Sequence, residues 1–432
     1  MTDRSRPPLL RPFGAFSFPE PECEHLGAGV PLYILRGGKE DVVRLDLVFR
    51  GGRYQQAMPL QAVFAVRMLR EGAVGLSAAA IEQRLDYYGS WLETSAGPEH
   101  TFLTVYAPGR FFPEVLPLVE DLVKRPTFPS AELDVVVAGS RQQFLLNLRK
   151  GAFVARRYLR YALLGGAHPG GRLLMPSDYA RLTSACLADF HRACYGTAGC
   201  SVFLSGRITD AVRDSVGQTF GSSPWGASAS LPPFGPYPAQ GGGERRLFVL
   251  RPQARQHSIG MGELTISPSH PDFPALQVLV TLLGGYFGSR LTRRIREELG
   301  YTYAISAALQ PIPGASLFVV ATETDGAYTE AVVAEVYAAM ERLQAEPVAE
   351  AELAVVRNYL YGQLCRSFEG VFALADAWID ISTGHLPPDH YRRQWDVLAA
   401  LTPGRLREVA CRYLHPHGMT EVVVGAKNAN KP

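Results

Sequence analysis

Residues 182–206 read LTSACLADFHRACYGTAGCSVFLSG, and residues 401–425 read LTPGRLREVACRYLHPHGMTEVVVG. The two stretches align without a gap. Leu182-Thr183 matches Leu401-Thr402, Leu187 matches Leu406, Gly199 matches Gly418 and Gly206 matches Gly425. Each predicts a helix, a short turn and a β-rich strand ending at glycine. A second pair sets LDYYGSWLETSA at 85–96 against REELGYTYAISA at 296–307. The two matches fall at equivalent ends of two halves of similar size, so the chain reads as a duplicated domain rather than a short-period solenoid. Between the halves, residues 227–244 (ASASLPPFGPYPAQGGGE) are rich in Gly, Ser and Pro and carry no apolar period, which predicts a linker. The expected organisation is therefore an N-terminal domain over 1–226, a linker over 227–244 and a homologous C-terminal domain over 245–432.

Within the first half, residues 32–36 and 42–50 predict a hairpin around Gly37-Gly38. Val43, Leu45, Leu47 and Phe49 alternate with Arg44, Asp46 and Val48, the period of a half-buried strand. Helical patterns follow at about 59–71, 77–88, 114–124, 130–150 and 177–195, with a strand at about 101–107. Ser77 fits an N-cap and Gly89 a position just past a helix end. The second half predicts strands near 246–250, 257–266, 302–311 and 315–323, and long helices near 273–298, 326–345 and 347–368. Strands and helices mix without strict βαβ alternation. The fold class expected is α+β: two tandem homologous domains, each an antiparallel β-sheet with helices packed on one face.

Composition narrows the function classes. The chain has 432 residues, 47% hydrophobic and 19% charged, enough for two to four domains, and a net charge of +2. That charge gives no electrostatic case for nucleic acid or an anionic membrane. No apolar run approaches the ~18–20 residues of a membrane span. The first 22 residues lack an apolar signal core, and their prolines and Asp3 oppose an amphipathic transit helix, so a cytoplasmic location is expected. Six cysteines stand without a C-x-x-C pair and read as small apolar residues of a reducing compartment.

The order of motifs resembles the pitrilysin/insulinase-type peptidases, in the branch that includes mitochondrial processing peptidase and its bacterial relatives. The residues that carry the resemblance are VFRGGRY (48–54), MLREG (68–72), residues 81–92 with Gly89, and HPGGR (168–172). In the second half they are Gln256, GGYFGSRL (284–291) and REELGYTY (296–303). The resemblance implies that a helix directly before M-L-x-x-G should carry H-x-x-E-H, with two imidazoles binding zinc and the Glu activating its water. A more distant Glu would complete the site. In this chain the matching positions are Val63, Val66 and Arg67. The distal Glu would fall near 141–144, where Gln142 and Gln143 stand, and no Glu occurs between Glu132 and Glu244. A valine has no lone pair to donate, and a permanently charged guanidinium repels a cation. No catalytic residue, no metal ligand and no cofactor is therefore assigned to this chain. Zinc is expected only in a partner, and zinc-dependent peptidase activity from this chain alone is not expected.

The resemblance implies one retained feature. Active two-part relatives carry an Arg and a Tyr seven residues apart in the C-terminal domain, facing the zinc site, and Arg296 and Tyr303 match. A phenol can donate to the oxygen of a scissile carbonyl as it gains charge, and a guanidinium can hold a substrate backbone carbonyl. The same residues also fit plain structure, an Arg complementing a helix C-terminus and a packed strand Tyr. The implied partners are a zinc-bearing paralogous subunit, or a second copy of this chain as a homodimer, with a peptide or unfolded polypeptide as substrate. The competing expectation is a structural or peptide-binding protein with no peptidase role. Arg67 is expected either to neutralise a nearby carboxylate where a metal once sat or to be a plain exposed helix residue. Gly284, Gly285 and Gly288 lack the Lys-Ser/Thr ending of a phosphate loop. His385, His390, His415 and His417 read as loop and surface residues.

Overall fold

A computed structural model describes residues 16–226, 233–241 and 243–427. The first fifteen residues, and residues 227–232 and 242 of the expected linker, lie outside the described residues.

The first half runs β1 (Glu22–His25), β2 (Pro31–Arg36), β3 (Val42–Arg50), α1 (Gln61–Arg67), the two-residue strands β4 (Gly72–Ala73) and β5 (Leu76–Ser77), and α2 (Ala78–Tyr87). It continues with β6 (Trp91–Ala96), β7 (His100–Pro108), α3 (Phe112–Lys124), α4 (Ser130–Asn147), α5 (Gly151–Leu164), α6 (Ser184–Cys194), β8 (Cys200–Gly206) and α7 (Asp210–Gly221). The second half runs β9 (Arg246–Leu250), β10 (His257–Thr265), α8 (Phe273–Val280), β11 (Thr302–Ile312), β12 (Ala315–Thr324), α9 (Thr329–Ala345) and α10 (Glu350–Arg366). It ends with α11 (Val371–Thr383), α12 (His390–Ala400), α13 (Pro403–Tyr413) and β13 (Thr420–Gly425).

The duplication is visible in the topology. The first sheet has the order β1-β2-β8-β3-β7-β6 and the second β11-β12-β10-β13-β9. With β2, β3, β6, β7 and β8 matched to β9, β10, β11, β12 and β13, the two orders are the same apart from the added β1. The repeated stretches occupy equivalent places: α6–β8 corresponds to α13–β13, and their helices start alike. The Thr183 hydroxyl accepts from Cys186 N–H at 3.2 Å and the Thr402 hydroxyl from Arg405 N–H at 3.2 Å. In the shorter match, Gly89 and Gly300 both sit at positive φ, 59° and 65°, where a side chain would be strained. Ser77 caps α2, its hydroxyl accepting from Ala80 N–H at 3.3 Å.

Four local expectations need correction. β2 and β3 do not form a hairpin: β8 lies between them, parallel to β2 and antiparallel to β3. The five residues 37–41 are long enough to step over one strand, ~10 Å at ordinary strand spacing. Each sheet is antiparallel except for one parallel pair, β2–β8 and β13–β9. The helix expected over 177–195 is a 3₁₀ turn, Pro176–Arg181, followed by α6, because Thr183 is extended and takes the cap. The helix expected over 273–298 breaks after residue 285. A Cβ on Gly284 would stand 2.6 Å from the Ala307 Cβ, so only glycine lets the helix pack this closely on β11 just before it ends. It resumes over Thr292–Glu298 with wide π-helical turns, Leu299 N–H reaching back five residues to Arg294 O at 3.1 Å.

Each half packs helices on one face of its own sheet. In the first, Leu45, Leu47, Leu103, Val105, Val202 and Leu204 face the helices, and in the second Ile259, Met261, Phe318 and Val320 do so. The other face of each sheet is covered by a helix from the opposite half. Helix α5 lays Val154, Ala155, Leu159 and Leu163 on Leu317, Val319, Val422 and Val424. Helix α11 lays Ala375, Trp378 and Ile379 on Leu35, Val48 and Phe203. Gly262 admits α5, since a Cβ there would lie 3.2 Å from Leu163 Cδ1.

Two polar joints pin this exchange. Arg44 and Asp46, both buried on β3, pair at 2.9 Å, and Arg44 reaches Asp376 of α11 at 2.6 Å. Glu99, only 5% exposed, accepts from the Tyr237 hydroxyl at 3.0 Å and pairs with His385 Nε2 at 3.3 Å. The described part of the expected linker is thus anchored to both halves.

Candidate functional site

The helix that would carry a zinc motif does form. Leu60 enters α1 at φ 72°, and Gln61 secures the first turn, its Oε1 accepting from Ala57 N–H at 2.9 Å and its Nε2 donating to Cys186 O at 2.7 Å. Val63 is half-buried against the core and Val66 is 1% exposed within it. Arg67, on the next position, is exposed and donates from Nη1 to Ser140 Oγ of α4 at 2.8 Å. That contact places the region of α4 where the distal carboxylate is expected beside the end of α1. What stands there is a hydroxyl and the exposed amides of Gln142 and Gln143.

Beside Arg67 lies an open cavity of about 800 Å³ lined by Arg70, Glu71 and Glu82 and by Glu93 and Thr94 of the edge strand β6. Arg70 and Glu82 pair at 2.7 Å. Burial raises the Glu71 carboxyl, Glu132 and Glu82 add to the rise, and Arg70 and Arg67 oppose it. Arg67 therefore does offset a nearby carboxylate while remaining an exposed helix residue. These residues do not fit zinc. An isopropyl group in the core, a guanidinium and an alcohol supply no imidazole or thiolate, and the cation would meet Arg67. Among the described residues no group of three or more His, Cys, Asp or Glu could hold a metal.

Arg296 and Tyr303 lie side by side, and Phe287 stands next to the same guanidinium. The guanidinium carbon of Arg296 lies 4.7 Å from the Phe287 ring centre and 5.4 Å from the Tyr303 ring centre. Phe287 is 68% exposed and Tyr303 86%. Arg296 comes from the π-helical stretch, Phe287 from the break before it and Tyr303 from β11, the edge strand of its sheet. The register of β11 on β12 slips between Thr302 and Ile305, leaving Tyr303 outside the ladder. Such a bulge re-aims a side chain, here outward beside Arg296. Two neighbouring arginines are otherwise engaged, Arg290 with Glu352 at 2.8 Å and Arg294 with Glu335 at 3.0 Å, whereas Arg293 is exposed. Arg296 has no carboxylate partner among the described residues. Phe287 was missed in the sequence because 273–298 reads as one helix; an aromatic between Gly285 and Gly288 was the available signal.

Arg296 and Tyr303 thus meet each other, but they do not line the cavity at Arg67, whose lining comes from the first half alone. A larger cavity of about 880 Å³ lies between the halves, near Glu99, His100, Phe273, Ile312 and His385, and contains neither Arg67 nor Arg296. Burial holds His100 down at about 4, with His385 and Arg50 contributing. The histidines read as surface residues are mostly paired across the fold: His385 with Glu99, His415 with Glu263 at 2.7 Å and His417 with Glu341 at 3.0 Å.

Comparison with known proteins agrees with this architecture. Residues 181–360 match the family model described as the peptidase M16 inactive domain. Proteins named as uncharacterized zinc proteases of Mycobacterium tuberculosis and Mycobacterium bovis are 26% identical over 316 residues, 71% of this chain and 70% of theirs. The crystal structure of a peptidase M16 inactive domain from Pseudomonas fluorescens superposes with a TM-score of 0.83 at 21% identity, over 95% of this chain and all (100%) of that one. A protease from Helicobacter pylori does so at 0.81 and 18% identity, over 96% and 100%. The periplasmic protease PqqL of Escherichia coli gives 0.78 at 16% identity, over 98% of this chain and 49% of its own. At these identities the solved structures speak for the fold. Together these findings support a member of the pitrilysin/insulinase-type (M16) peptidases that lacks the zinc-binding motif.

Proposed function

We propose that this chain is the noncatalytic subunit of a bacterial zinc peptidase pair, holding extended peptide for a zinc-bearing paralogue to cut. One observation carries the reading. Half-buried Arg296, unengaged by carboxylates among the described residues, lies beside exposed Tyr303 of the edge strand β11, while the positions matching the two zinc ligands and the base are Val63, Arg67 and Val66. A peptide could add to the β11 edge through backbone hydrogen bonds and meet both side chains. The guanidinium would hold a carbonyl, and the phenol would stabilise charge in the partner's reaction. A cytoplasmic location belongs to the same reading, supported by six free thiols.

The test is co-purification from the native organism with metal analysis and a peptidase assay. The expected result is about one zinc per two chains and chelator-sensitive hydrolysis that Tyr303→Phe slows by roughly tenfold or more. A complex whose rate ignores Tyr303→Phe would remove the role given to the phenol. A peptide-binding complex with no hydrolysis at all would favour the alternative, a binding protein of this fold without a peptidase role.

A further inference from the structure

The geometry points to a carboxylate as the group that the Phe287–Arg296–Tyr303 cluster reads: we propose that the site prefers extended peptides carrying an acidic residue. This rests on the peptide-holding function above and adds the class of peptide and Phe287 as a specificity-determining residue.

The argument starts from the guanidinium. Aromatic rings lie beside it at 4.7 and 5.4 Å, and its N–H groups, which point outward in the guanidinium plane, have no carboxylate partner among the described residues. A planar fork presented edge-on matches a carboxylate with two parallel hydrogen bonds, whereas a single backbone carbonyl uses only part of it. Neighbouring arginines display the same preference: Arg290 binds Glu352 through Nε and Nη2 at 3.0 and 2.8 Å, and Arg294 binds Glu335 at 3.0 and 3.1 Å. Arg296 alone of these three has the fork and no acid. Glu297 follows it in sequence, but consecutive helical residues do not face each other.

The rings matter as much as the charge. Two large aromatic groups left 68% and 86% exposed beside one arginine have the composition of a binding hot spot rather than of a solvated surface. They hold the long Arg296 side chain in one orientation, so less freedom is lost when a ligand arrives. They also supply apolar surface for the methylenes of a Glu or Asp side chain. Because Tyr303 lies at the bulge of an edge strand, a peptide paired with β11 would pass beside the fork.

The test uses the full chain and four fluorescently labelled nonapeptides of one Val/Thr-rich extended sequence. They carry central Glu or central Gln, each with an amidated or a free C-terminus. Anisotropy titrations at low salt are expected to show the amidated Glu peptide binding about fivefold more tightly than the amidated Gln peptide, a gain that fades with added salt. Arg296→Lys keeps the charge but loses the fork, and Phe287→Ala frees the guanidinium. Both are expected to bring the Glu/Gln ratio close to one while melting temperatures stay unchanged. Preference for the free C-terminus over a central Glu would assign the fork to a terminal carboxylate, the same chemistry from the other source. Equal binding of all four peptides overturns the acidic preference and leaves peptide holding intact. A ratio unaffected by Phe287→Ala removes that residue from the site. No binding of any peptide defeats both readings.

Discussion

At position 67 one guanidinium does two things: it donates to Ser140 across the α1–α4 junction, and it offsets the raised carboxyl of Glu71. The junction is thus held by a hydrogen bond. Arg67→His alone should leave zinc uptake unchanged, because one imidazole beside Val63 is a poor site. Val63→His with Arg67→His places two imidazoles one helical turn apart and should raise zinc affinity, as competition with a chromophoric chelator would show. If the single substitution bound zinc as tightly as the double, donors outside α1 would have to be present. His100 makes a separate prediction. Its folded pKa of about 4 lies below the unfolded value of 6.5, so the neutral form is favoured by folding. Its contribution is present above pH 6.5 and is lost as the pH falls towards 4. His100→Asn should therefore flatten the acid side of the stability curve by on the order of 2 kcal/mol, measured by urea unfolding at pH 7 and pH 4.5.

Among the elements, α5 and α11 do the most to define the molecule, because each closes the sheet of the other half. Leu159 is fully buried between α5 and the second sheet, and Leu159→Ala should cost about 2–5 kcal/mol. That loss should appear in urea unfolding of the whole chain, and a change near zero would mean the contact is not formed. On the opposite side, α11 is held by Arg44, whose partners are buried Asp46 and the better exposed Asp376. Arg44→Met leaves Asp46 buried without its cation and should destabilise by roughly 3–5 kcal/mol, whereas Asp376→Asn should cost much less. Equal effects would show that Asp46 is not where the burden falls. The break between α8 and the π-helical stretch belongs to the same scale. Gly284, lacking a Cβ, lets the helical stretch pack closely on β11, and the turn that follows residue 285 brings Phe287 beside Arg296.

The whole molecule is a pair of homologous sheets locked by exchanged helices, so cutting it at the expected linker should not give two stable domains. A fragment covering 245–432 would expose Leu317, Val319, Val422 and Val424, which α5 covers in the full chain. It should aggregate or bind an apolar dye when expressed alone, and co-expression with residues 1–226 should restore a soluble complex. A soluble, cooperatively melting fragment would contradict the helix exchange. The two candidate surfaces, the cavity at Arg67 and the aromatic cluster at Arg296, lie on different halves, and the cavity at Arg67 is lined by neither Arg296 nor Tyr303. The proposed function calls for a second subunit because Val63, Val66 and Arg67 leave this chain without zinc ligands or a catalytic base.

Much of this was legible in the residues. The gapless match of 182–206 with 401–425 gave the duplication, because caps and strand-ending glycines are local signals that a helix–turn–strand unit needs wherever it sits. Val63, Val66 and Arg67 gave the missing zinc chemistry, since side-chain donors are fixed by residue type alone. Other features needed the folded chain. β8 slips between β2 and β3 because strand pairing 150 or more residues apart in sequence is decided by sheet closure and leaves no local mark. The exchange of α5 and α11 has the same origin: an amphipathic face shows in the sequence, but the surface that covers it is chosen only by packing. Phe287 joins Arg296 and Tyr303 because the helix breaks after residue 285, beside its close approach to β11 at Gly284, and an approach between segments distant in sequence exists only in three dimensions.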